Sequence, residues 1–209
     1  MEEMELIQEI QTEEGTADLP RTMTDSRRFS CTLCGECCSG TMEVFLNPYD
    51  LYKMGRFLNM SHSIELFEKK LIEWAPGQNS LLLPKIRFKT EPFSFCPFLI
   101  NDYQDELGLR GLCSLHPEHK PLVCHLAPLT RQIDLETGED SFGFIPPHPD
   151  CPGCGRGEEI REDLVRKELK SELAHEMTYY QILSDRAEGH PEKIRGLFLF
   201  DLNKSFSVP

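Results

Sequence analysis

Four cysteines fall within eight positions of this chain, in the run FSCTLCGECCSG over residues 29–40: Cys31, Cys34, Cys37 and Cys38. A stretch so dense in thiols has little apolar surface to bury, so its structure depends on what the sulfurs bind. Each C-x-x-C step lets two thiolates reach one ion from a single tight turn. Two steps in succession place three sulfurs around one centre, and three close cysteines with a distant fourth is a common way to hold a [4Fe–4S] cluster. Tetrahedral zinc is the competing use. The last two cysteines are neighbours, and adjacent side chains point to opposite sides of extended chain or diverge by roughly 100° in a helix. Cys37 and Cys38 are therefore expected to share an ion only with difficulty, leaving Cys38 to a second centre or free beside the first.

The sequence holds nine cysteines in three groups: these four, then Cys96, Cys113 and Cys124, then Cys151 and Cys154. An odd number leaves one over from any complete disulfide framework. The first twenty residues carry seven acids and no Lys or Arg, which is not the basic, then apolar, start of a secretory signal. No window approaches the ~18 consecutive apolar residues of a membrane span. These features point to the cytoplasm, where thiols stay reduced and clustered cysteines bind metal or do redox chemistry. The net charge of −13, with no dense Lys/Arg run, argues against nucleic acid as a partner.

In the middle group, Pro117 and Pro121 stiffen the stretch between Cys113 and Cys124, so two distant sulfurs can be presented at low entropic cost. Cys96, flanked by Phe95, Pro97 and Phe98, also reads as a small buried hydrophobe. The expected arrangement is mixed: the first cluster supplies thiolates to one or two metals and the middle group closes them. Cys151 and Cys154, in CPGCG, look like one knuckle of a zinc ribbon whose second pair would come from Cys38, Cys96 or a histidine such as His148. A redox C-x-x-C is the alternative, but its usual βαβ setting is missing. His116, His119, His125 and His148 sit near cysteines and read as surface residues or as donors to thiolates. No phosphate loop and no nucleophile elbow occurs, and no reaction is assigned.

CTLCGECC, then CPFL, then GLCSLHPEHKPLVCHLAP, in that order, resemble the CxxCxxCC cysteine-cluster family, described as zinc- or iron-chelating proteins. The resemblance spans roughly residues 29–130, about half the chain. It implies metal binding with Cys31, Cys34, Cys37, Cys38, Cys96, Cys113 and Cys124 as ligands. Cys151 and Cys154 lie outside it. Where the family often has Arg-Pro before the last cysteine, this chain has Lys120-Pro121, which keeps the charge but loses the planar fork of donors. Flagellin lysine methylases carry a related cluster on longer chains, so the resemblance also admits a protein-modifying role.

Along the chain, residues 1–26 read as an acidic, flexible leader, 27–155 as a cysteine-cluster metal-binding domain and 156–209 as a helical extension packed on it. Asn47, Pro48 and Asp50 open a helix that buries Leu51, Met54 and Leu58. Ser61 or Ser63 is expected to open a second, with Ile64, Phe67, Leu71 and Trp74 on one face and Pro76-Gly77 at its end. KIRFK (85–89) and FCPFLI (95–100) read as strands, and residues 128–147 as a hairpin turning at ETGED. A long helix over Gly157–Glu188, with Ile160, Leu164, Leu173, Met177 and Tyr180 as its stripe, ends at Gly189 and Pro191. KIRGLFLFDLNK (193–204) is expected to dock on the core. The fold class is α+β: a small metal-stabilised cysteine-rich core with short antiparallel strands, flanking helices and a long C-terminal helix. The implied cofactor is an iron–sulfur cluster or zinc, with iron making the better use of the C-x2-C-x2-C run. Three functions are weighed: a metal-binding protein that stores, delivers or senses its ion, a redox or protein-modifying enzyme, and a structural-zinc module docking a protein partner through the C-terminal helix.

Overall fold

The computed structural model describes residues 27–40, 42–77, 81–105, 108–187 and 194–207. The leader over residues 1–26 lies outside them, as do Gly189 and Pro191. The fold is α+β: among the described residues there are five helices and eight strands, the strands paired into four separate two-stranded antiparallel sheets. Among the described residues no helix is long and apolar enough to cross a membrane.

Helix α1 (Pro48–Phe57) starts as its sequence dictates. Asp50 N donates to Asn47 Oδ1 at 2.9 Å and Asn47 N donates to Asp50 Oδ2 at 3.1 Å, a reciprocal cap with Pro48 in the first turn. Leu51 and Met54 are fully buried.

The second helix is much shorter than its apolar spacing suggests. α2 covers only Ile64–Glu68, and Lys70 at φ 57 turns the chain out of helix. Ile72–Pro76 then forms β2, paired with β3 (Leu82–Ile86). Trp74 still meets Phe67, ring centroids 4.7 Å apart, but across a helix-to-strand turn. A spacing of seven brings two side chains together in either geometry, so periodicity could not separate them. Ser63 is not a cap either. Its Oγ donates to Phe198 O at 2.8 Å and accepts from Phe200 N, while Glu65 Oε1 accepts from Ser61 N and His62 N.

The expected strand at residues 85–89 sits earlier, since β3 ends at Ile86, although Ile86 and Phe88 do alternate inward. Cys96, Pro97 and Phe98 form a loop, and the strand after them, β4 (Leu99–Gln104), pairs with β5 (Gly108–Cys113). α3 (Leu122–Leu126) follows. The hairpin is as read: β6 (Leu129–Ile133) and β7 (Asp140–Phe144) join through Asp134–Glu139.

The long C-terminal helix is divided. Cys154–Glu159 is not helix but strand β8, paired with β1 (Arg28–Phe29), and it crosses the 155/156 boundary drawn from sequence. α4 (Glu162–Glu168) and α5 (Lys170–Ala187) follow, separated at Leu169. The stripe differs too. Leu169, Leu173, Tyr179 and Leu183 are buried, whereas Leu164 and Tyr180 are exposed. The reason is that these helices serve two cores. Leu169 and Leu173 join a small cluster with Leu122, Leu126, Leu129 and Phe142, while Tyr179 and Leu183 join the main one. One helix turned toward two cores shows no single stripe.

The C-terminal segment does dock: Ile194, Leu197, Phe198 and Leu202 are at most 1% exposed and sit in the main core. Leu202 fills the notch at Gly55, where a Cβ would stand 2.5 Å from its Cδ1.

Candidate metal centre

The cysteine loop is held against the β4–β5 hairpin by a backbone contact only glycine allows. Gly35 has φ 77, and Gly111 N donates to Leu33 O at 2.6 Å. A Cβ on Gly111 would lie 2.5 Å from the Gly35 Cα. This approach sets the loop beside β5, whose last residue is Cys113. The chain then makes a single 3₁₀ turn over Glu36–Cys38, closed by Cys38 N donating to Gly35 O at 2.9 Å. Cys96 N donates to Cys38 O at 2.7 Å, which ties the second segment to the first. Cys113 pairs with Leu99, whose N donates to Cys96 O at 3.1 Å.

Cys124 arrives on α3. That helix is too short to orient itself, and a buried polar network holds it in place. Asp50, 2% exposed, accepts from Leu122 N with Oδ1 at 2.8 Å while its Oδ2 completes the α1 cap. Lys53 Nζ donates to Lys120 O at 2.7 Å and to Glu172 Oε2. His125 Nδ1 stands 3.5 Å from Glu172 Oε1, within ion-pair range but without hydrogen-bond alignment. Asp50, Lys53 and Glu172 were not picked out from the sequence as parts of the site. Asp50 reads there as a helix-start residue, and nothing local shows that its second oxygen reaches residue 122.

Five thiols from four segments are thereby gathered: Cys37, Cys38, Cys96, Cys113 and Cys124. The first two have Sγ atoms 3.9 Å apart. The two side chains do not point apart as their adjacency suggests: their χ angles turn both sulfurs toward each other. Four sulfurs each about 2.3 Å from one ion stand roughly 3.8 Å apart, so this pair has the spacing of one edge of a tetrahedral thiolate site. Cys96 is buried, and Cys38, Cys113 and Cys124 pack against the main core.

The protonation of these thiols follows from that placement. The hydrogen bond from Cys38 brings the Cys37 thiol down to about 6, helped by Lys120 and His148 against the cost of burial. Cys38 shifts the other way for the same reason, with burial and the charges of Cys37, Cys96 and Cys113 adding to it. Burial pushes Cys96 up to about 11, with a contribution from Cys113. Burial likewise pushes Cys124 up to about 12, with Cys96 and Cys113 adding to it. The inner thiols thus lie close enough to oppose one another's charge.

Four cysteines remain. Cys31 and Cys34 are exposed, and Cys151 and Cys154 are partly so. Cys154 rises to about 11 through burial and its neighbour Cys151. His148 Nε2 is 4.0 Å from Cys34 Sγ. His116 is exposed, and His119 lies against the Phe57 ring at 4.7 Å. Lys120 contributes its carbonyl to Lys53 and its charge to Cys37. All nine cysteines are free thiols. Among the described residues no three His, Cys, Asp or Glu side chains stand in an arrangement that could hold a metal ion. The donor set is nonetheless the one soft, thiophilic metals select.

No known protein family, curated protein or solved structure matches the chain.

Proposed function

We propose that this chain is a metal-binding protein of a reducing compartment such as the cytoplasm, whose inner thiols Cys37, Cys38, Cys96, Cys113 and Cys124 hold zinc or an iron–sulfur cluster. One observation carries the reading: four segments distant in sequence deliver five thiols to one place through specific backbone contacts. Burial and mutual repulsion favour the protonated thiol at Cys38, Cys96 and Cys124. A bound cation reverses that balance, so metal uptake releases protons and adds to folding stability. The resemblance to the CxxCxxCC family points the same way.

The test is metal content by elemental mass spectrometry on anaerobically purified protein, with its visible spectrum. Iron with matching acid-labile sulfide and a visible band bleached by dithionite assigns an iron–sulfur cluster. Zinc without colour assigns a thiolate zinc centre. Folded protein free of both metals overturns the reading.

A second reading is favoured by one feature, the exposed Cys37 with its lowered pKa beside Cys38: thiol redox or nucleophilic chemistry at that pair. Loss of function in Cys37→Ser with metal content intact would select it.

A further inference from the structure

CTLCG at residues 31–35 and CPGCG at residues 151–155 share one form, two cysteines three apart and then glycine. The structure gives both glycines the same left-handed backbone, φ 77 at Gly35 and φ 76 at Gly155. A glycine in that conformation closes the tight turn from which a C-x-x-C pair reaches one ion. The second turn is secured by Cys151 N donating to His148 O at 3.1 Å and Cys154 N donating to Cys151 O at 3.2 Å.

The two turns also meet. Ser30, just before Cys31, donates its N–H to Gly153 O at 3.1 Å, between Cys151 and Cys154. Phe29 pairs with Cys154, and a Cβ on Gly153 would lie 2.6 Å from Ser30 O. Arg28 Nε donates to Gly157 O at 2.8 Å. At the other end of the first turn, Cys34 Sγ faces His148 Nε2. The residue before Cys31 and the side chain of Cys34 thus both meet the segment that carries Cys151 and Cys154.

We propose that Cys31, Cys34, Cys151 and Cys154 form one four-thiolate zinc site joining the two turns as a ribbon, with His148 donating to the Cys34 thiolate. Four protein ligands leave no open position, so this ion is structural. The C-x-x-C-x-x-C-C run is then divided: its first pair faces the C-terminal turn and its last pair faces the buried thiols. That division gives the doubled cysteine its use, since nine cysteines supply four here and five within. The ion would clip β1 to β8, whose two-residue pairing is slight by itself. The inference shares with the function proposed above only that thiolates of this chain bind metal, and it rests on different residues.

The experiment uses the wild-type full chain loaded with zinc. A chelator removes metal in steps, an alkylating reagent labels exposed thiols at each step, and mass spectrometry reads the label at every cysteine. Cys31, Cys34, Cys151 and Cys154 should become reactive together, in a step distinct from Cys37, Cys38, Cys96, Cys113 and Cys124. Release of Cys31 and Cys34 with Cys37 and Cys38, or full labelling of Cys151 and Cys154 while zinc is bound, overturns the proposal. If all nine are released at once, Cys151→Ser decides. It should lose one zinc equivalent and expose Cys31 and Cys34 while the inner five stay protected, and any other pattern sinks the site. Labelling of the inner five throughout, with the outer four protected, would defeat the inner centre and leave this one standing.

Discussion

The inner and outer cysteines are placed by different means. Side chains join main-chain contacts in holding the inner set: Asp50 and Lys53 fix the approach to α3, and Cys96 is buried in the main core. The outer set is placed by main chain, through glycines at positive φ and the β1–β8 ladder. Burial marks out two of the inner thiols chemically as well. Burial pushes the Cys96 and Cys124 thiols up, so a thiolate at either position needs a cation to offset its desolvation. A metal held by the inner set would therefore couple ion, protons and folding, and one held by the outer set would do so less.

The largest effect should follow from removing the side chain on which the inner set depends. Asp50→Ala deletes the acceptor for Leu122 N and Asn47 N and takes a charge from beside Lys53. Breaking a buried, hydrogen-bonded charge of this kind costs roughly 3–5 kcal/mol, to be measured by urea unfolding. Asp50 also has a pH signature. Burial raises its pKa to about 7, against the counteracting Lys53 charge, so the folded state holds a proton that the unfolded chain releases near 4. Its contribution to stability is complete below about 4 and falls as pH rises to about 7. Asp50→Asn should lose that slope between those limits, and an unchanged slope would move its origin elsewhere.

A smaller effect separates the inner thiols from one another. In metal-free protein at pH 7, iodoacetamide should label Cys37 more than tenfold faster than Cys96 or Cys124, because only Cys37 is mostly thiolate. Mass spectrometry of timed samples reads the ratio. Equal rates would mean that the Cys38 hydrogen bond and the Lys120 charge do not act on Cys37 as placed.

What the sequence disclosed was whatever depends on near neighbours. The Asn47 cap, the hairpin at residues 129–144 and the docking segment were all legible, since caps, turn residues and dense apolar runs act within a few positions. The α2 stripe failed because Phe67 and Trp74 meet in helix and in strand-turn alike. The C-terminal helix was overextended because β8 exists only through β1, at the far end of the chain. The candidate site divides similarly. All nine cysteines could be named as candidates, but their grouping required contacts such as Gly35 on Gly111 and Asp50 on Leu122, which leave no local mark. The adjacency of Cys37 and Cys38 suggested divergence, yet their sulfurs stand 3.9 Å apart, because backbone rotation alone does not fix where two flexible side chains point.

The smallest expected effect compares the two cysteine turns directly. Gly35 and Gly155 share a φ near 76°, so alanine at either position carries the same left-handed backbone cost, about 1–2 kcal/mol. Their surroundings differ. A Cβ at Gly155 meets nothing within 4 Å, whereas one at Gly35 lies 3.2 Å from the Gly111 Cα, a backbone atom that cannot swing aside. Gly35→Ala should therefore exceed Gly155→Ala by about 1 kcal/mol in urea unfolding of the metal-free protein, the added cost of overpacking. In that form the difference reports packing alone, free of any ion. Equal losses would show that the loop can lift from β5 without penalty, and the backbone contact would no longer explain how Cys37 and Cys38 come to lie beside Cys113.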